Sequence, residues 1–174
     1  MKETLFINLF GGPGTGKSTL CASIFTNLKM KQVDCEMALE YAKDVVWEES
    51  FEKLKNQIYI FGKQHSRIFR LNGKVDVVIT DSPILLSIIY DKDQNPYLKD
   101  LVLYEFSKLK TLNFWINRTT DYDPNGRMQS LEGAIRVDDV TKKLLDENNI
   151  SYKEITVGID NTESIINDIL KIIK

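Results

Sequence analysis

The 174-residue sequence has little of what stabilises secreted domains or holds zinc: two cysteines, Cys21 and Cys35, and a single histidine, His65. With no close C-x-x-C pair, neither a disulfide framework nor a zinc site is indicated, and a reducing compartment fits best. No apolar run approaches the roughly 18 to 20 residues that cross a bilayer. The N-terminus opens on a strand-like segment rather than a signal peptide. These absences predict a cytoplasmic protein with no membrane partner. A net charge of −2 provides no global field to attract a polyanion. There is no internal repeat, low-complexity tract or interdomain linker, so residues 1–174 read as one domain, and nothing in them indicates a homo-oligomer.

What is present is a hydrophobic content of 43%, enough for an ordinary core. Apolar, β-rich runs occur at Leu5 to Phe10, Val75 to Thr80, Leu112 to Asn117 and Tyr152 to Val157, with a weaker candidate before Glu40. Helical patterns fall at about 17–30, 48–72, 97–110, 131–149 and 161–173, the last with Ile165, Ile166, Ile169 and Ile172 on one face. The strand runs are continuously apolar, as central parallel strands covered by helices on both faces require. The fold class expected is α/β, three layers around a mostly parallel sheet of about five strands.

Between the first strand and the first helix stands GGPGTGKSTL, Gly11 to Leu20. Gly11, Gly16, Lys17 and Ser18 fit G-x-x-x-x-G-K-[ST] in the strand–turn–helix context that a phosphate cradle needs. Glycines let successive N–H groups point at phosphate oxygens, so Gly12, Gly14, Thr15 and Gly16 are expected to line the nucleotide. Lys17 would reach the terminal phosphates and Ser18 a Mg²⁺ ion, with Thr19 a second hydroxyl. About 60 residues further on, VDVVITDSP ends a strand in Asp81, whose carboxylate would serve the same metal or, alternatively, cap a helix.

Such a cradle serves switches, motors and kinases alike. No N-K-x-D segment for guanine recognition occurs, and beyond residue 174 no chain remains for the helical subdomain of a ring-forming ATPase, so a kinase is favoured. Kinases need cations that close over the transferring phosphoryl group. Arg118, Arg127 and Arg136 straddle a polar, turn-rich stretch, RTTDYDPNGRMQS, that reads as a lid over about 118–136. Arg136 also stands four residues after Glu132, the spacing of a surface ion pair.

The acceptor side begins in DCEMALEYAKDVVWEE. Glu40 is the first candidate to accept a hydroxyl proton and Asp44 the second, against the alternative of a solvated helix face; Trp47 reads as core. In the following helix Gln57, Phe61, Gln64 and Ile68 share a face, where amides beside an aromatic ring suit a nucleobase or else a half-buried core. Lys53 to Lys74 holds six Lys or Arg and no Asp or Glu. Arg67, Arg70 and Lys63 could there meet a phosphorylated or polymeric acceptor such as DNA. His65 reads as surface.

Taken together, GGPGTGKSTL, EYAKDVVWEE, VVITDSP and DPNGRMQS followed by ISYKEITV resemble, in order and over nearly the whole chain, the small P-loop kinases that include the ribosylnicotinamide kinase domain of bacterial NAD regulators. The resemblance implies a P-loop NTPase fold, ATP and Mg²⁺ as cofactors, functional roles for Lys17, Ser18, Glu40, Asp81 and Arg127, and an adenine near Val157 to Ile159. It implies transfer of the ATP γ-phosphoryl group to a nucleobase-bearing acceptor, a nucleoside or nucleotide first. The adenylyltransferase domain of those regulators has no counterpart here. Related kinases encoded by phages act on nucleotides or on hydroxymethylated pyrimidines (such as 5-hydroxymethyluracil) within DNA, and the Lys- and Asn-rich composition keeps DNA modification open. A regulatory ATPase with no phosphorylated acceptor is the third reading.

Overall fold

The structure, a computed structural model, describes residues 2–118, 130–156 and 159–173. Its strands are β1 (Leu5–Phe10), β2 (Cys35–Met37), β3 (Val77–Thr80), β4 (Lys110–Asn117) and β5 (Lys153–Thr156). Its helices are α1 (Lys17–Met30), α2 (Tyr41–Trp47), α3 (Phe51–Leu54), α4 (Gln57–Phe69), α5 (Leu86–Ile89), α6 (Pro96–Ser107), α7 (Leu131–Glu147) and α8 (Ile159–Ile173). The strands form one sheet in the order β2-β3-β1-β4-β5, every pair parallel.

The central strand β1 is buried at all six residues. Its period-two alternation serves two cores. Leu5, Ile7 and Leu9 join Val77, Ile79, Phe114 and Ile116 against α1 and α8. Phe6 and Phe10 join Val78 and Trp115 against α4, α5, α6 and α7. That second face also buries Asn8, which faces Asn113 in register and donates to its Oδ1 at 2.9 Å. Asn113 in turn donates to the Ser151 carbonyl at 3.0 Å, and these bonds offset the desolvation of the two amides. At about 1.5–3 kcal/mol for each fully buried large apolar side chain, the two cores carry the fold.

Local sequence chemistry redraws some expected boundaries. The single helix expected over 48–72 is interrupted: Asn56 caps α4, its side chain accepting from Tyr59 N at 3.0 Å, and only the short α3 precedes it. The charged stretch after Glu40 is a separate helix, α2, ending where Glu49 takes a left-handed φ of 52°. Trp47, expected in the core, is 75% exposed at the end of α2. In α8, Ile165, Ile166 and Ile169 are buried as expected, whereas Ile172 is exposed and Ile173 packs inward one position later, where the i+4 spacing from Ile169 puts it. Both cysteines are buried free thiols. Among the described residues no helix is long and apolar enough to cross a membrane.

Candidate active site

The cradle lies where β1 ends and α1 begins, at the carboxyl edge of the sheet. Gly16 holds the N-cap of α1 with φ 86°, a left-handed conformation that costs glycine nothing and other residues about 1 kcal/mol or more. No acidic residue occupies the first turn of α1, so its N–H groups and positive dipole end are left for an anion. The Lys17 ammonium donates to the Gly12 carbonyl at 2.7 Å and the Thr15 hydroxyl to the same oxygen at 3.1 Å, so the loop is closed on itself. Burial pushes the Lys17 ammonium down to about 8, against the attraction of Glu40, Asp81 and Asp138. Ser18 and Thr19 are exposed at the start of α1.

Asp81 leaves the end of β3 4% exposed. One of its carboxylate oxygens accepts from the Ser18 hydroxyl at 2.6 Å and the other from Glu40 N at 3.1 Å. It does not cap α5, whose N-cap is Leu85. A serine hydroxyl and one carboxylate are hard oxygen donors of the kind that fit Mg²⁺. No group of three or more His, Cys, Asp or Glu that could hold a metal occurs among the described residues. Glu40 stands at the N-cap of α2 without capping it, and its side chain is half-buried. Burial raises its carboxyl above the ordinary range, and Lys17 opposes that rise.

Arg118 follows β4. Its Nε donates to Asp138 Oδ2 at 2.8 Å, one terminal nitrogen lies 2.7 Å from the same oxygen, and the other donates to the Pro13 carbonyl at 2.7 Å. The second Asp138 oxygen accepts from Gly12 N. A Cβ on Gly12 would stand 2.6 Å from the Ala134 carbonyl and 2.7 Å from Asp138 Oδ1, so this glycine is required by the close approach of α7. Nothing in the sequence singled out Asp138, which reads as one acid of a solvated helix. Arg127, Val157 and the stretch 119–129 of the expected lid lie outside the described residues. Arg136 is exposed and pairs with Glu132 at 3.4 Å, the ion pair its spacing suggested.

On the acceptor side the expected face of α4 forms, directed inward. Phe61 is 6% exposed within the core. Gln64, 3% exposed, accepts from Tyr41 N at 2.9 Å and donates to the Ser82 carbonyl at 3.0 Å, so its amide ties α2 to the residue after Asp81. Gln57 donates to the Leu54 carbonyl at 3.0 Å. Arg67 pairs with Asp44, donates to the Leu39 carbonyl at 3.0 Å and lies over the Tyr41 ring, its guanidinium carbon 5.1 Å from the centroid. These contacts gather around the backbone that presents Glu40. His65 is part-buried rather than on the surface, stacked on Phe69 and 3.3 Å from Glu105. A cavity of about 320 Å³, lined by Phe114, Asn117, Thr156, Asn161, Ile165 and Asp168 among others, runs along the edge strand β5 and includes no cradle residue.

A five-stranded parallel sheet whose central strand delivers a glycine loop, a half-buried lysine and a serine beside the carboxylate of the neighbouring strand defines a P-loop NTPase. The chain belongs to the family described as AAA domain, whose model matches residues 6–161. Among solved structures it is similar to the NadR protein, crystallised in complex with NR, with a TM-score of 0.69 and 19% identity. That match covers 88% of this chain and 45% of the NadR chain, so the present chain spans less than half of that protein, and the likeness is one of fold. The expected resemblance to P-loop kinases of this type is thereby borne out. No curated protein sequence matches the chain.

Proposed function

We propose that this chain is a single-domain kinase that uses ATP and Mg²⁺ to phosphorylate a hydroxyl or phosphate of a nucleobase-bearing acceptor, a nucleoside or nucleotide first. The observation that carries this reading is the bridging of Ser18 and Glu40 by one carboxylate, Asp81, which sets a second, half-buried carboxylate beside the phosphate cradle. In this reading Gly14, Thr15, Gly16 and Lys17 hold the phosphates, Thr19 lies at their margin, and Ser18 and Asp81 hold the ion. Mg²⁺, when bound, would neutralise charge on the transferring group. Glu40 accepts the acceptor's proton, and its raised carboxyl makes it the stronger base. Arg118 and Arg127 supply cationic charge, and Val157 borders the adenine.

A kinase acting on a modified pyrimidine in DNA draws support from exposed Lys55, Lys63 and Arg70 around α4. A regulatory ATPase draws support from the description of the family. One experiment separates them: incubation with ATP and a panel of nucleosides, nucleotides and 5-hydroxymethyluracil-containing DNA, read by mass spectrometry, with Lys17→Ala as control. Phosphate on a small acceptor supports the proposal, phosphate on DNA replaces it with the second reading, and turnover with no phosphorylated acceptor leaves the third.

A further inference from the structure

We infer that Asp138 is a positioning residue of the nucleotide site, one that aims Arg118 at the phosphate cradle and holds the cradle's first turn against α7. The inference rests on the P-loop reading of the site, and needs no acceptor to be identified.

Asp138 divides its carboxylate. One oxygen takes the Gly12 N–H of the cradle and the other takes the Nε edge of Arg118. The remaining arm of the guanidinium donates to Pro13 O, so cradle, β4 end and α7 meet at one ion pair. Both side chains are about 15% exposed, which limits screening by water and salt. The arginine fork matches a carboxylate geometrically, and this contact fixes where its charge sits. The close approach at Gly12 leaves α7 no slack relative to the loop.

The charges make opposite demands that a merely structural anchor would not. Paired with Arg118, Asp138 orders a cation beside the phosphates. Without Arg118 it is an uncompensated anion at the mouth of an anion site. The effect of removing its charge therefore changes sign with the state of residue 118.

Isothermal titration of ATP–Mg²⁺ into the wild-type chain and three variants reads this without turnover. Asp138→Asn retains an oxygen for Gly12 N–H and is expected to weaken ATP about 10-fold, with the ATP KM rising by a similar factor wherever turnover is measured. Arg118→Ala is expected to weaken ATP about 30-fold or more. Adding Asp138→Asn to Arg118→Ala is expected to regain about threefold. Wild-type or tighter affinity in Asp138→Asn overturns the inference, as does a further loss in the double variant. If Asp138→Asn does not fold, Arg118→Lys keeps the charge and loses the fork: several-fold weaker binding supports the inference and wild-type affinity overturns it. Failure of the wild-type chain itself to bind ATP would instead remove the nucleotide site, and the inference with it.

Discussion

The Ser18 hydroxyl donates to the Asp81 carboxylate at 2.6 Å, across 63 residues of sequence. The contact joins the first turn of α1 to the end of β3, and the second Asp81 oxygen, on Glu40 N, joins both to α2. Asp81→Asn keeps the shape and loses the charge that would hold a hard cation. Phosphoryl transfer is expected to fall about 100-fold or more, and half-maximal activity to require more Mg²⁺. A Mg²⁺ titration checks this, and an unchanged titration curve would remove Asp81 from the metal site.

Among the described residues Glu40 bonds to the same centre through its backbone N–H, and its carboxylate is the group proposed to serve the acceptor. Glu40→Gln is expected to lower acceptor phosphorylation by about 10²- to 10⁴-fold, the range for a lost general base. ATP binding, measured by calorimetry, is expected to persist. Intact phosphorylation by Glu40→Gln would transfer the role of base to another group, Asp44 being already engaged by Arg67.

Gln64 shows where the sequence is and is not legible. β1, β3 and β4 are legible as runs dominated by apolar residues, Asn8 and Asn113 excepted, because a strand buried on both faces shows little polar alternation. The cradle is legible because its chemistry lies in backbone and in one short spacing within ten residues. The spacing of Gln57, Phe61 and Gln64 also gives the right face of α4, yet periodicity cannot say what that face meets. It meets the core and two backbone groups brought from 23 and 18 residues away. Asp138 is illegible for the same reason, since its partners are 126 and 20 residues distant.

From that geometry Gln64→Leu is expected to destabilise the fold while leaving ATP affinity nearly intact. It orphans Tyr41 N and the Ser82 carbonyl, both part-buried, at up to about 1–3 kcal/mol each. At about 2–4 °C per kcal/mol for a chain of this length, the two together are a fall in Tm of up to about 4–24 °C. Because Tyr41 N adjoins Glu40, acceptor phosphorylation is expected to drop more than ATP binding. A wild-type Tm in thermal denaturation would release the amide for direct contact with the acceptor.

Gly12→Ala tests the seam between cradle and α7. Its new methyl would meet a backbone carbonyl, Ala134 O, at 2.6 Å, and helix α7 cannot yield as the tip of a flexible side chain would. A shift of the helix is expected to cost about 1–3 kcal/mol, the range for overpacking. Differential scanning calorimetry with and without ATP–Mg²⁺ checks it: the variant is expected to melt lower and to gain less from the nucleotide. Equal stabilisation of both proteins by ATP would uncouple α7 from the site.

The two buried thiols make stability sensitive to alkali. Cys21 and Cys35 are 0% exposed, and burial pushes their thiols up to about 12 and about 11. In the unfolded chain a thiol titrates near 8.5. Between that pH and the folded values the unfolded chain sheds protons that the folded chain keeps. The thiols' contribution is therefore complete below about pH 8.5 and is lost as pH rises towards 11 and 12. Lys17 acts in the opposite direction, since its lowered pKa favours folding as pH rises from about 8, so the total slope is a difference. Comparing proteins isolates the thiol: Cys21→Ala should lose about 2 kcal/mol less than the wild-type chain between pH 8 and pH 10. Urea unfolding under reductant at the two pH values measures this directly. Parallel pH slopes for the two proteins would mean that the Cys21 thiol ionises as readily folded as unfolded.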